Sequence, residues 1–164
     1  MAAEGMRFTD AYAPAPICSA SRASILTGKT TARTNFEFVT KDKPGFQQIE
    51  GETPLRAPPL TMNLAHEHET IAELLAKAGY ETAFMGKWHL NQHHRGYLGW
   101  SPDFGPTTHG FATTVDSFGA HPYAWRGGEK RKGADVAPGT FPADALTDAA
   151  IDFVRKDHDA PFFS

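Results

Sequence analysis

Cys18 is the sole cysteine of the 164-residue chain, and Arg22 follows it four positions on. The run Ile17 to Lys29 that holds them reads Ile-Cys-Ser-Ala-Ser-Arg-Ala-Ser-Ile-Leu-Thr-Gly-Lys. Pro14 and Pro16 bring the chain in extended, because a proline disfavours the α region for its predecessor. The spacing predicts a helix over Ser19–Thr27, opening on small hydroxyl residues and stopped by Gly28. A cysteine at that junction faces free backbone N–H groups and the positive end of a helix dipole, which stabilise an anion. A lone cysteine also serves as a small buried hydrophobe, but Ser19, Ser21, Arg22 and Ser24 are a poor lining for a core. A plain thiolate activated by Arg22 is a further reading. The anion loop of the cysteine phosphatases sets its Cys and Arg farther apart than the three intervening residues here, which weakens that reading.

The second set of chemical residues is Lys87-Trp88-His89. If the backbone alternates there, Lys87 and His89 share one face and Trp88 turns into the core. Lys87 is then a point charge for an anionic oxygen, and His89 a group able to move a proton near neutral pH. The competing reading is a tryptophan that anchors a loop between two solvated polar residues.

The elements that must position these groups follow from periodicity. Glu69–Ala78 is the clearest helix, with Ile71, Leu74, Leu75 and Ala78 on one face and Gly79 to end it. Tyr80–Met85 reads as a strand that Gly86 breaks, releasing the Lys-Trp-His run into a loop at a strand's carboxyl end, as open α/β sheets arrange their sites. Phe111–Phe118 suits a strand, Gly127–Gly139 a polar loop, and Ala143–Lys156 a helix with Leu146, Ala149, Ala150, Phe153 and Val154 inward. Lys29 to His66 has no sustained period and reads either as a functional loop or as a disordered, solvated insertion, and Asn91–Gly110 reads as loop. At the ends, Met1–Met6 reads as the tail of a helix, Arg7–Ala13 as a short strand or extended arm, and Ala160–Ser164 as the start of a buried strand. Both ends suggest a piece of a longer protein.

Two blocks carry a family resemblance. Cys18-Ser-Ala-Ser-Arg22 followed by Leu26-Thr27-Gly28 resembles the first signature of the sulfatases, and Gly79 to Leu90 resembles the second. Weaker similarity extends along most of the chain apart from Thr30 to Met62. The resemblance implies an alkaline-phosphatase-like α/β/α sandwich, incomplete here, with 1–164 the N-terminal part of the catalytic domain and a variable loop insertion at about 30–66. It implies that Cys18 is oxidised after translation to formylglycine, whose hydrate attacks sulfur through one hydroxyl and expels sulfate through the other. Arg22 would hold that group, Lys87 would contact the sulfate, and His89 would hydrogen-bond the aldehyde-derived oxygen or assist its deprotonation. A divalent cation, usually Ca2+, would bind the sulfate and the oxygen of modified Cys18, with its other ligands outside this chain. His121 stands where several sulfatases place a polar pocket residue. Ala20 replaces the proline of many members, which leaves the maturing enzyme open.

The function so implied is hydrolysis of a sulfated small molecule or glycan to an alcohol and inorganic sulfate. A phosphonate or phosphate ester hydrolase of the same superfamily is the neighbouring alternative, and a non-catalytic relative the alternative outside enzymes. The chain alone is expected to be inactive and marginally stable, and the full-length parent periplasmic or secreted. A formylglycine-generating enzyme would be its partner.

Composition bounds these readings. A net charge of −3 speaks against a general nucleic-acid or anionic-membrane surface, and no apolar run is long enough for a membrane span. One cysteine excludes an internal disulfide. Fifteen glycines and twelve prolines predict long loops. His66, His68, His89, His93 and His94 invite a zinc reading, against which stand Gly96, Gly99 and the lack of a cysteine partner. His109-Gly110-Phe111 is read as packing.

Overall fold

The computed structural model describes residues 3–47, 51, 54–116 and 141–164. Helix α1 spans Cys18–Thr27 and α2 Thr31–Thr34; α3 spans Ile71–Lys77, strand β1 Glu81–Gly86 and β2 Thr113–Asp116, then α4 Pro142–Arg155 and β3 Phe162–Phe163. The three strands are parallel in the order β2-β1-β3, so β1 is central. Ala83 pairs with Thr113 and Gly86 with Asp116 on one side, and Glu81 pairs with Phe162 on the other. A parallel neighbour needs a crossover connection, and the helices between strands belong to that α/β pattern.

Local chemistry explains the helix ends. Gly28 (φ 65°) donates its N–H to the Ser24 carbonyl and closes α1. Thr70 and Glu73 form a reciprocal capping box at the start of α3: the Glu73 N–H donates to Thr70 Oγ1 and the Thr70 N–H to Glu73 Oε2. In α4, Pro142 occupies the first turn, and the Phe141 N–H donates to Asp144 Oδ2 at 2.7 Å.

The expected elements are present with shifted borders, and several details are corrected. α1 starts one residue earlier, at Cys18, and α3 is shorter than Glu69–Ala78. Its inward face is not the one periodicity suggested: Ala72 is buried, whereas Ile71 and Leu74 are exposed. The reason is Gly110, whose backbone lies so close to the first turn that an added Cβ would sit 2.4 Å from the Glu73 nitrogen. Only a small residue on that side of α3 permits the approach. In α4, Phe153 is buried, but Leu146, Ala149 and Ala150 are half-buried and Val154 is exposed. Leu146, Ala150 and Val154 line an apolar cleft of about 770 Å³ against β1 and β3. Phe162 likewise pairs with β1 yet remains exposed, so β3 is not a buried strand here. Residues 3–5 form a turn rather than a helix tail, and 7–13 form an exposed arm with no strand pairing. The Asn91–Gly110 loop contains a 3-10 turn at Pro106–His109. Residues 117–118 of the expected second strand and the Gly127–Gly139 loop lie outside the described residues.

The core gathers at the carboxyl end of β1. Trp88, Phe36, Leu64, Leu90, Ala20 and Ala23 are wholly buried. The Trp88 indole Nε1 donates to the Phe104 carbonyl at 2.8 Å, Phe84 meets its edge, and its face stacks on His109 at 5.5 Å. His109 stacks in turn on His66, and His66 on Phe104.

Gly110 therefore sets a prediction. Gly110→Ala meets backbone at 2.4 Å with φ at 91°, whereas Gly28→Ala meets nothing within 4 Å at φ 65°. Urea denaturation should show a loss of about 1 kcal/mol for Gly28→Ala and at least about twice that for Gly110→Ala.

Candidate active site

Cys18 is the first residue of α1, half-buried, behind the extended residue Ile17. No side chain caps this helix start and no acidic residue sits in its first turn, so its N–H groups keep their positive end. The other half of the site comes off β1. Gly86 (φ 111°) turns the chain, Trp88 plugs into the core, and His89 adopts a left-handed φ of 57°. Lys87 and His89 consequently line the same cavity as Cys18, a space of about 630 Å³, with Trp88 on the far side of the backbone.

Buried hydrogen bonds fix these pieces together. Ser19 Oγ donates to the His89 carbonyl at 2.6 Å and accepts from the Thr40 N–H at 3.2 Å. Thr40 Oγ1 also reaches the His89 carbonyl, at 3.5 Å. The helix behind Cys18, the loop after β1 and the irregular segment around Thr40 thus share one knot. Val39, Thr40, Lys41 and Asp42 form part of the cavity wall, as do His93, Gly96 and Tyr97. Sequence reasoning placed Ser19 only at the helix start and His93 only in the zinc reading, and it singled out none of Thr40, Lys41 or Tyr97. For Thr40 and Lys41 the only signal was the irregularity of their segment, which reads as a functional loop or a solvated insertion and points to no residue within it.

Arg22 stands one turn along α1 from Cys18 and is half-buried. Burial pulls its pKa down and the adjacent Cys18 pushes it back up, and a guanidinium stays charged throughout. Its Nε has no hydrogen-bond partner among the described residues.

The His89 pKa is lowered to about 4, chiefly by burial and then by the neighbouring Lys87 and His93, against a hydrogen bond its ring donates to the Thr40 backbone carbonyl. Its Nδ1 has no partner among the described residues. In the empty site His89 is therefore a neutral imidazole at pH 7, an acceptor or hydrogen-bond partner, not the group titrating near neutrality that its type suggested. A bound anion would favour its protonated form.

Among the described residues no group of three or more His, Cys, Asp or Glu side chains could hold a metal ion. His66 is stacked between Phe104 and His109, and His68 Nδ1 lies 3.1 Å from Lys29 Nζ, so both are engaged in packing contacts. His121 lies outside the described residues.

The family model for sulfatases matches residues 1–164, the whole chain. The chain belongs to the sulfatase family. It is similar to arylsulfatase G of Canis lupus familiaris, 38% identical over 126 residues, covering 74% of this chain and 21% of that protein. It is also 39% identical over 124 residues to N-acetylgalactosamine-6-sulfatase of Sus scrofa, covering 74% of this chain and 20% of the relative. The chain thus spans about a fifth of the length of these curated relatives. The crystal structure of Ps i-CgsB in complex with k-i-k-neocarrahexaose superposes with a TM-score of 0.63 at 22% identity, over 94% of this chain and 35% of that one. That likeness agrees with part of an alkaline-phosphatase-like α/β fold.

The buried histidines predict an acid-sensitive chain. His89 and His109 both have pKa values pushed down to about 4, largely by burial. Below the ordinary histidine value near 6.5 the unfolded state binds more protons, so folding stability is full above that pH and falls as pH drops toward 4. The slope is about 1.4 kcal/mol per pH unit for each histidine. Urea midpoints measured between pH 7 and 4 check it, and His89→Asn should make the profile shallower.

Proposed function

We propose that the protein of which this chain is part hydrolyses sulfate esters to an alcohol and inorganic sulfate, with Cys18 converted to formylglycine as the nucleophile. The observation that carries the reading is the convergence of Cys18, Lys87 and His89 on one cavity beside Arg22, in a chain of the sulfatase family. The position of Cys18 fits the modification, being half-buried on a cavity wall rather than sealed in the core. The matured side chain would supply, as its hydrate, one hydroxyl that takes the sulfuryl group and a second whose deprotonation lets sulfate leave and restores the aldehyde.

The chain's own residues supply charge and orientation. Lys87 holds an anionic sulfate oxygen as a point charge, and the open helix start adds its N–H groups to the same side. Arg22 orients the Cys18-derived group from one helical turn away. His89, neutral and buried, accepts a hydrogen bond or a proton from that group and holds it as the imidazolium, which a nearby sulfate stabilises. Among the described residues, the charged groups lining the cavity are Lys41, Lys87 and Asp42. Two lysines and one carboxylate do not make a seat for Ca2+, so no step is assigned to a cation through these residues.

Two measurements test the reading. In protein made with a competent maturing enzyme, the tryptic peptide Phe8–Arg22 should be lighter by the exchange of CH2–SH for an aldehyde. A persistent thiol there sinks the formylglycine assignment. On an aryl sulfate, the full-length Lys87→Ala variant should lose about 10²–10³ in kcat and His89→Asn about 10²–10⁴. Faster turnover of the matching phosphate or phosphonate ester would reassign the substrate.

A further inference from the structure

Two loops complete the cavity beyond Cys18, Lys87 and His89, and the chemistry above assigns them no part. Both are firmly held. In the first, the Lys41 carbonyl accepts from the His93 N–H at 3.1 Å and the Asp42 carbonyl from Gln92 Nε2 at 2.8 Å. The second closes on itself: the His94 N–H donates to the Gly99 carbonyl at 3.2 Å and the Gly99 N–H to the Gly96 carbonyl at 3.1 Å. Asn91 Nδ2 ties the Gly99 carbonyl to the catalytic loop at 3.0 Å.

This second loop is strained. Arg95 (φ 55°) and Leu98 (φ 61°) are both left-handed, a conformation that such residues rarely adopt. Leu98 is 2% exposed and anchors the loop in the core. The strained turn presents Tyr97 to the cavity, 42% exposed, with its ring edge-on to His93 at 5.1 Å and 85°. Non-glycine strain maintained by a buried anchor is characteristic of ligand clamps. On the first loop, the Lys41 ammonium lies 5.4 Å from the Phe38 ring centroid, a cation–π contact at the cavity wall.

A sulfate group fills only a small part of about 630 Å³, so the remaining space belongs to the alcohol that leaves. Lys41 and Asp42 are exposed on the cavity wall, and an apolar alcohol would offer neither of them a partner. A sugar ring offers a C–H face to Tyr97, hydroxyls to Asp42, and, if it carries an acidic group, an anion to Lys41.

We propose that Lys41 and Tyr97 form a leaving-group subsite that selects a sulfated saccharide bearing a second anionic group over a simple aryl sulfate. The proposal rests on the sulfate-ester reading above. The test uses the matured full-length protein and the ratio of kcat/KM for a disulfated disaccharide to that for 4-nitrophenyl sulfate. Lys41→Ala should lower this ratio about fivefold to tenfold, and Lys41→Arg should restore it. Tyr97→Ala should lower it by a similar factor, mainly through KM, while Tyr97→Phe keeps it. A ratio unchanged in both alanine variants, or equal losses on both substrates, overturns the subsite.

Calorimetric binding of the same disaccharide to full-length Cys18→Ala protein separates the two readings. Binding weakened by Lys41→Ala and Tyr97→Ala, in a protein whose parent hydrolyses neither ester, removes the hydrolase reading and upholds the subsite. Binding that neither substitution changes removes the subsite.

Discussion

The site depends on one buried hydroxyl. Ser19 Oγ, with no exposed surface on its residue, donates to the His89 carbonyl and accepts from the Thr40 N–H. It is the residue next to Cys18, so its position fixes where the helix start can lie relative to the loop that carries Lys87 and His89. An unpaired buried carbonyl or N–H costs about 1–3 kcal/mol, so the three partners hold one another. The left-handed turn at His89 belongs to the same arrangement, since it aims the carbonyl at Ser19 and the ring at the cavity.

Trp88 supplies the second constraint. Its burial between Phe84, Phe111 and His109 drives the loop after β1 against the core. With Trp88 inward, its two neighbours must project toward the cavity. Packing thus orients the charged groups, and the same packing, by burying His89, sets its protonation. Burial favours the neutral imidazole, and the adjacent Lys87 and His93 add to that preference. The cavity is therefore electropositive without a charged histidine, a fit for an incoming anion that then shifts the imidazole toward its protonated state.

The apolar cleft between α4, β1 and β3 has a different character. It is larger than the site cavity, but its wall is mostly apolar, with Leu26, Phe84, Leu146, Ala150, Ile151 and Phe163, and its polar groups, Arg155, Thr147 and Ser164, include no nucleophile beside a base. Volume alone would choose the wrong pocket here. Chemistry chooses the smaller one.

How much was legible in the sequence varied with the range of the interaction. The helix at Cys18, its stop at Gly28 and the strand before Gly86 follow from neighbours a few residues apart, so local propensity determined them, whereas the shared side of Lys87 and His89 came from the burial of Trp88 and the left-handed turn at His89. The face of α3 was misread because Gly110, 37 residues beyond Glu73, comes close enough to demand Ala72 on that side. Thr40 and Lys41 were not marked individually, because their irregular segment suggests at most a functional loop and their role comes from hydrogen bonds to Ser19 and His93. The low pKa of His89 was equally hidden, since residue type gives the ordinary value and only burial shifts it. The sequence by itself determined the chemical groups and their local frames. The tertiary structure decided which of them share a cavity and in what protonation state, because contacts between distant residues and exclusion of water exist only once the chain is folded.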